Sequence, residues 1–258
     1  MTSNFDTYSR YYDLLYQDKD YQGEADYIHT LLSRFSQSND SVLELGCGTG
    51  KHGELLATKG LRVTGVERSL SMLDQATKRS ERFNSAGAGR FTAAMGDARD
   101  FRCDQIFDSV ISLFHVMSYQ TSSADVNSMF QTAASHLRTG GLFVFDVWYG
   151  PAVLSLQPAV RVKRMEDSSL HVTRIAEPTL IENLNRVDVT YTVFTTDKAT
   201  QTIESFTELH PMRYFFAPEL ESFAQANGFD VVHQEEWLSS EVPSRHSWGV
   251  VYVCKKSP

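Results

Sequence analysis

The sequence predicts an α/β fold: a doubly wound, seven-stranded, mostly parallel sheet with a helical N-terminal segment and an antiparallel β insertion. Three observations predict it. Strand-like and helix-like segments alternate as far as Val147, the pattern of βα units. Several strands are uninterrupted apolar runs, as in Leu142–Val147, which a sheet covered by helices on both faces requires. From about Pro158 to Arg213 the pattern switches to β-branched alternation, as in Val187-Asp-Val-Thr-Tyr-Thr-Val-Phe194, which suits antiparallel hairpins.

In chain order, Phe5–Tyr16 carries Phe5, Tyr8, Tyr11, Tyr12 and Tyr16 at near-helical spacing, and a second helix pattern runs from about Tyr21 to Phe35. Ser41–Gly46 is a short apolar strand running into glycines, followed by a helix over Lys51–Lys59 that Gly60 stops. Leu61–Val66 is the next strand and Leu70–Phe83 the next helix. Arg90–Met95 and Ile106–Phe114 read as strands, Asp125–Arg138 as a helix closed by Gly140-Gly141, and Leu142–Val147 as a strand. The insertion holds three or four strands, with turns at Asp167–Ser169 and Asp197–Thr200. Pro218–Ala226 is a helix ended by Asn227-Gly228, and Phe229–Glu235 and Trp248–Cys254 close the sheet. The expected organisation is therefore a helical lid over residues 1–40, a central domain over 41–157 and 214–258, and the insertion over 158–213.

A chain of 258 residues can bury roughly 70–75% of its unfolded surface and needs no staples. Net charge is 24 − 32 = −8, and with no long basic run nucleic acid is not an expected partner. Cys47, Cys103 and Cys254 are widely spaced and odd in number, so they form neither a disulfide framework nor a zinc ligand set. The stretch Met1–Tyr12 is polar and aromatic, unlike a signal peptide, and no apolar run approaches the ~20 residues that span a bilayer. A cytoplasmic protein without a membrane partner is expected, and a homodimer is compatible with it.

The strongest local signal is Glu44-Leu-Gly46-Cys-Gly48-Thr-Gly50, between a strand and a helix. Glycines there permit a tight turn and let a ligand approach the backbone. Gly65-Val-Glu67 places a carboxylate at the end of the next strand, where it can accept both hydroxyl protons of a ribose. A third acidic residue, Asp97, follows the third strand. Gly48-Thr-Gly50-Lys-His-Gly53 also matches the dinucleotide fingerprint, which keeps a nicotinamide-dependent dehydrogenase open. Two features favour another ligand: Gly46 turns the chain before that match begins, and the Glu44 carboxylate suits a cationic head better than a pyrophosphate.

As an ordered set, Val42–Gly50, Gly65-Val-Glu67, Gly96-Asp97 and Phe107-Asp108-Ser-Val-Ile111 resemble the motifs of class I S-adenosylmethionine-dependent methyltransferases. The match covers about residues 40–147 and implies a Rossmann-like fold with S-adenosyl-L-methionine as cofactor. By that resemblance Gly46, Cys47 and Gly48 pass the methionine part, with Glu44 on its ammonium side. Glu67 holds the ribose, Asp97 and Ala98 meet the adenine, Arg68 and Met72 complete the contacts, and Phe114 or His115 meets the sulfonium end. Tyr8-Ser-Arg-Tyr11-Tyr12-Asp13-Leu-Leu-Tyr16 and the stretch Phe114–Tyr119 are further similar to small-molecule N-methyltransferases, above all those acting on nucleotide-linked amino sugars.

Methyl transfer from a sulfonium asks the protein chiefly to align the acceptor and exclude water. An amine must arrive unprotonated, whereas a hydroxyl needs a base or a metal. No clustered metal-ligand set is visible, so the first expectation is N-methylation of a small acceptor, with a sugar or secondary-metabolite hydroxyl as the alternative. A cofactor-binding module without catalysis is the non-enzymatic alternative. His115, Tyr119 and Tyr12 are the candidate catalytic groups, and Tyr16 joins Tyr12 as cofactor cover. Trp148 and Tyr149 would wall the acceptor pocket. His210 is a further polar candidate, and Arg213 and Arg245, with the Arg161–Arg164 group, could meet a diphosphate.

Overall fold

A computed structural model describes residues 9–258 except 37, 88 and 89. Phe5 and Tyr8 therefore lie outside the described residues. Helices α1 (Ser9–Leu15) and α2 (Tyr21–Phe35) precede β1 (Ser41–Leu45), α3 (Lys51–Thr58), β2 (Arg62–Glu67), α4 (Leu70–Ser85), β3 (Arg90–Met95) and β4 (Phe107–Ser112). Then come α5 (Ser123–His136), β5 (Leu137–Tyr149) and α6 (Gly150–Leu156). Local chemistry starts these helices where the sequence offers a cap: the Asp20 carboxylate accepts from the Gly23 amide, Ser69 from Met72 and Ser122 from Asp125.

Strands β1, β2, β3, β4 and β5 pair in parallel in the order β3-β2-β1-β4-β5. The closing strands β10 (Phe229–Glu236) and β11 (Gly249–Lys256) are antiparallel, with β11 against β5. Residues alternate between two cores on opposite faces. In β5, Phe143, Phe145 and Val147 pack with Phe130 of α5 and Phe229, while Leu142 and Val144 pack with Ile28 and Leu32 of α2. Phe130 meets Phe143 and Phe145 edge to face, at 5.3 and 5.5 Å.

The insertion forms four strands, β6 (Arg161–Glu166), β7 (Leu170–Ile181), β8 (Arg186–Asp197) and β9 (Ile203–Phe215), before α7 (Ala217–Ala226). Asp167 and Asp197 close two of its hairpins by accepting backbone amides two and three residues on. Because Trp148 and Tyr149 of β5 pair with Tyr214 and Phe215 of β9, the insertion joins the central sheet into one eleven-stranded network instead of an isolated flap.

Three boundaries differ from the sequence expectation. Helix α5 ends at His136, and Gly140-Gly141 lies inside β5 at a bulge against Phe107–Ser109, with Gly140 at φ +75°. The glycines therefore bend a strand and do not stop a helix. Helix α6 was not expected, although Pro151 at its first turn is a helix-start signal. Strand β9 continues two residues past Arg213, which draws Tyr214 and Phe215 into the core.

Candidate active site

The parallel strands end around one cleft, where doubly wound sheets place their ligands. It is lined by the glycine loop, the ends of β2 and β4, Asp97, α1 and the inner face of the insertion, and runs continuously from the loop to the insertion.

At the loop, the Gly46 and Cys47 amides donate to the Val66 carbonyl at 2.8 and 3.0 Å, stitching the turn to β2. Gly46 has φ +77°, and a Cβ there would fall 2.7 Å from Val116. Gly48 also has positive φ, but its missing Cβ faces open space. The backbone at Gly48 is thus available to a ligand at close range.

Glu67 sits at the rim with both carboxylate oxygens anchored: Oε2 accepts from the Gly48 amide at 3.0 Å and Oε1 from the Ser69 amide at 2.8 Å. Burial raises its pKa against the pull of those amides. Asp97 accepts from the Arg99 guanidinium at 2.7 and 2.9 Å, with Arg68 at 3.7 Å. Burial works against these partners, yet they hold its carboxyl below the ordinary range.

Glu44 is buried beneath the loop and is not on the cleft surface. Its Oε2 has no hydrogen-bond partner, and its Oε1 lies 3.7 Å from His52 Nδ1. Burial, reinforced by the charge of Glu67, pushes it up to about 8. A glycine loop with no Cβ in the way at Gly48, the anchored Glu67 carboxylate on β2 and Asp97 beyond it fit a ligand that carries a ribose diol and no diphosphate, because a pyrophosphate there would meet the Glu67 and Asp97 carboxylates. Cys47 fills space: its thiol is buried and raised well above its ordinary value, so it is no nucleophile.

At the far end, Phe114 and His115 take consecutive left-handed conformations, φ +61° and +63°, a strained geometry for bulky residues. The His115 amide donates to the Asp146 carboxylate at 3.1 Å, and the ring Nδ1 lies 2.6 Å from Asp146 Oδ2. Tyr16 packs edge-on against Phe114 at 5.1 Å and against Tyr12 at 4.7 Å. Its hydroxyl accepts from Arg174 of β7 at 2.9 Å. Tyr119, in the 3₁₀ turn Val116–Tyr119, reaches His210 of β9. Trp148 packs near His115 and Trp248, at 6.2 and 5.5 Å.

The cleft therefore gathers Tyr12, Tyr16, Gly46, Cys47, Gly48, Glu67, Arg68, Met72, Asp97, Ala98, Phe114, His115, Tyr119, Trp148 and His210. Three expected acceptor residues are not on its wall. Tyr149 packs against the core below the sheet, because alternation along β5 sends it to the face opposite Trp148. Arg213 is buried in an ion pair with Glu219 of α7, which leaves its guanidinium committed. Arg245 is exposed in the loop before β11 and does not line the cleft.

Tyr191, Met212, Gln120 and the His115 partner Asp146 escaped the sequence reading. The alternation of β8, with Val187, Val189 and Val193 buried, contained the signal for Tyr191 on the same face.

A methyltransferase-domain family matches residues 42–141. The chain is 29% identical over 226 residues to dTDP-3-amino-3,4,6-trideoxy-alpha-D-glucopyranose N,N-dimethyltransferase of Streptomyces venezuelae, covering 87% of this chain and 90% of that one. It is 28% identical over 223 residues to dTDP-3-amino-3,6-dideoxy-alpha-D-glucopyranose N,N-dimethyltransferase of Streptomyces fradiae, covering 85% and 82%. The crystal structure of Streptomyces venezuelae DesVI superposes with a TM-score of 0.79 at 26% identity, over 97% of this chain and 98% of that one. With the donor set around the glycine loop, these likenesses identify the chain as an S-adenosylmethionine-dependent methyltransferase.

Proposed function

We propose that the enzyme methylates the amino group of a nucleotide-linked amino sugar, in two successive transfers. The carrying observation is the continuity of the cleft, which runs from the Gly48 and Glu67 end to a wall of His115, Tyr119, His210 and Trp148. Similarity to enzymes named for dTDP-amino sugars supports the acceptor class.

S-adenosylmethionine supplies an electron-poor methyl group that needs only in-line approach of a lone pair. Glu67 would hold the ribose hydroxyls, Asp97 and the Ala98 amide the adenine, and the main chain at Gly46–Gly48 the amino-acid part, with Glu44 below. His115, whose backbone amide is held by Asp146 and whose ring lies beside that carboxylate, would turn Nε2 to accept an N–H of the acceptor and so aim its lone pair. Tyr12 and Tyr16 cover the cleft from α1, which packs on the insertion through Tyr11 and Leu15 against Val172 and Val193. In this proposal residues 1–40 act as lid, 41–157 with 214–258 as catalytic domain, and 158–213 as acceptor cover.

A histidine beside a carboxylate at the acceptor end is also what a hydroxyl acceptor would require, so O-methylation of a sugar is the second reading. The acceptor is taken as a small molecule and not nucleic acid, the site of action as the cytoplasm, and a homodimer as the assembly to test by light scattering. Incubation with labelled S-adenosylmethionine and matched amino- and hydroxy-sugar nucleotides, read by mass spectrometry, separates the two readings. Transfer to the hydroxy sugar alone would overturn N-methylation.

A further inference from the structure

Strand β9 inverts the expected pattern of an insertion strand. Leu209 is 46% exposed, whereas its polar neighbours Glu208 and His210 turn inward and are 9% and 1% exposed. Burying two ionisable side chains while exposing a leucine costs free energy unless the inward pair has a task or partners. Both have partners, and they form a line. The Tyr119 hydroxyl lies 2.9 Å from His210 Nδ1, and His210 Nε2 lies 3.1 Å from Glu208 Oε2. A carboxylate only accepts, so Nε2 carries the imidazole proton and Nδ1 is left to accept from Tyr119.

We infer that Tyr119, His210 and Glu208 form a relay that removes the proton from the methylated amine between the first and second transfers. This rests on the proposed amino-sugar acceptor. A secondary ammonium has no lone pair to attack with. Its N–H bond must break, with the electron pair staying on nitrogen. The proton passes to the Tyr119 oxygen as the Tyr119 hydroxyl proton moves to His210 Nδ1, and the resulting imidazolium is held through Nε2–H by Glu208. No oxidant or further reactant is needed.

Tyr119 is suited to conduct and not to ionise, because burial raises its phenol well above the ordinary value. Among the described residues, the titratable groups facing His210 include Glu208 on its own strand, Tyr119, and Tyr191 of β8, whose ring lies 4.6 Å away. Arg174 of β7 stacks on Tyr191 at 4.7 Å, and Tyr16 bonds Arg174. His115 is the less suitable store for this proton, since Phe114 and His115 stand where the cationic sulfonium is proposed to sit.

Glu208 acts through His210 and is a positioning residue. In the ligand-free wild type, ¹⁵N-edited histidine spectra are expected to show the neutral His210 ring protonated on Nε2; a proton on Nδ1 overturns the relay. With dTDP-3-amino-3,6-dideoxy-α-D-glucopyranose as probe, Tyr119→Phe and Glu208→Gln should slow the second transfer more than the first. The expected ratio change is on the order of a hundredfold, the low end of general-base effects. Monomethyl product should accumulate, and raising the pH should restore dimethylation as solvent takes the proton. An unchanged mono-to-dimethyl ratio in both variants removes the relay alone. No transfer by the wild type removes the amino-sugar reading, and the relay's task with it.

Discussion

Replacing Glu67 by alanine tests the cofactor placement most sharply among single substitutions. Its carboxylate is 9% exposed and held rigid by the Gly48 and Ser69 amides, so little ordering remains when a ribose diol arrives. A hydrogen bond to a charged acceptor is worth roughly 1.5–3 kcal/mol, and its loss leaves the two amides without their acceptor. Water from the cleft recovers part of that second cost. The expected loss is therefore about 2–3 kcal/mol, or a 30- to 150-fold weaker Kd. Glu67→Gln keeps one carbonyl acceptor and should lose about 1 kcal/mol less. Isothermal titration with S-adenosylhomocysteine measures both. An alanine variant that binds as tightly as the wild type would refute the placement of the ribose on β2.

Three further outcomes follow from the same geometry. Glu44, raised to about 8, is protonated in the ligand-free protein at neutral pH. The folded chain then holds a proton that the unfolded chain gives up in the ordinary carboxyl range, so this residue costs stability as pH rises through about 8. Glu44→Gln should gain several degrees in Tm on the wild type between pH 6 and 9, and parallel curves would contradict it. Gly46→Ala should abolish S-adenosylhomocysteine binding in calorimetry, because φ +77° and the Val116 contact both oppose a Cβ; retained binding would place the ligand elsewhere. Arg213→Ala should lower stability by about 3–5 kcal/mol in denaturant titration by stranding Glu219, while leaving acceptor KM within about twofold. A large rise in KM with intact stability would return Arg213 to the acceptor site.

The glycine-loop half of the cleft was legible because its determinants are local. Strand, glycine turn and helix follow one another within Ser41–Thr58, Glu67 ends β2, and Asp97 comes two residues after β3. The opposite wall depends on register between distant strands. His210 and Tyr191 reach the cleft because β8 and β9 pair Val189 with His210 and Tyr191 with Glu208, a choice made across a long hairpin. Arg213 shows the opposite failure. As a cation beside aromatics it looked available for phosphate, but the turn from β9 into α7 brings Glu219 onto it. A glycine pair marks a helix end and a strand bulge equally well, so sequence alone does not separate a stop at Gly140-Gly141 from the bulge that forms there.

A crystal structure of the protein grown with S-adenosylhomocysteine tests the central claim most directly. The account predicts the amino-acid part of the ligand against the main chain at Gly46–Gly48, its ribose on Glu67 and its adenine at Asp97. Electron density for the ligand away from Glu67, or none at saturating concentration, would contradict it.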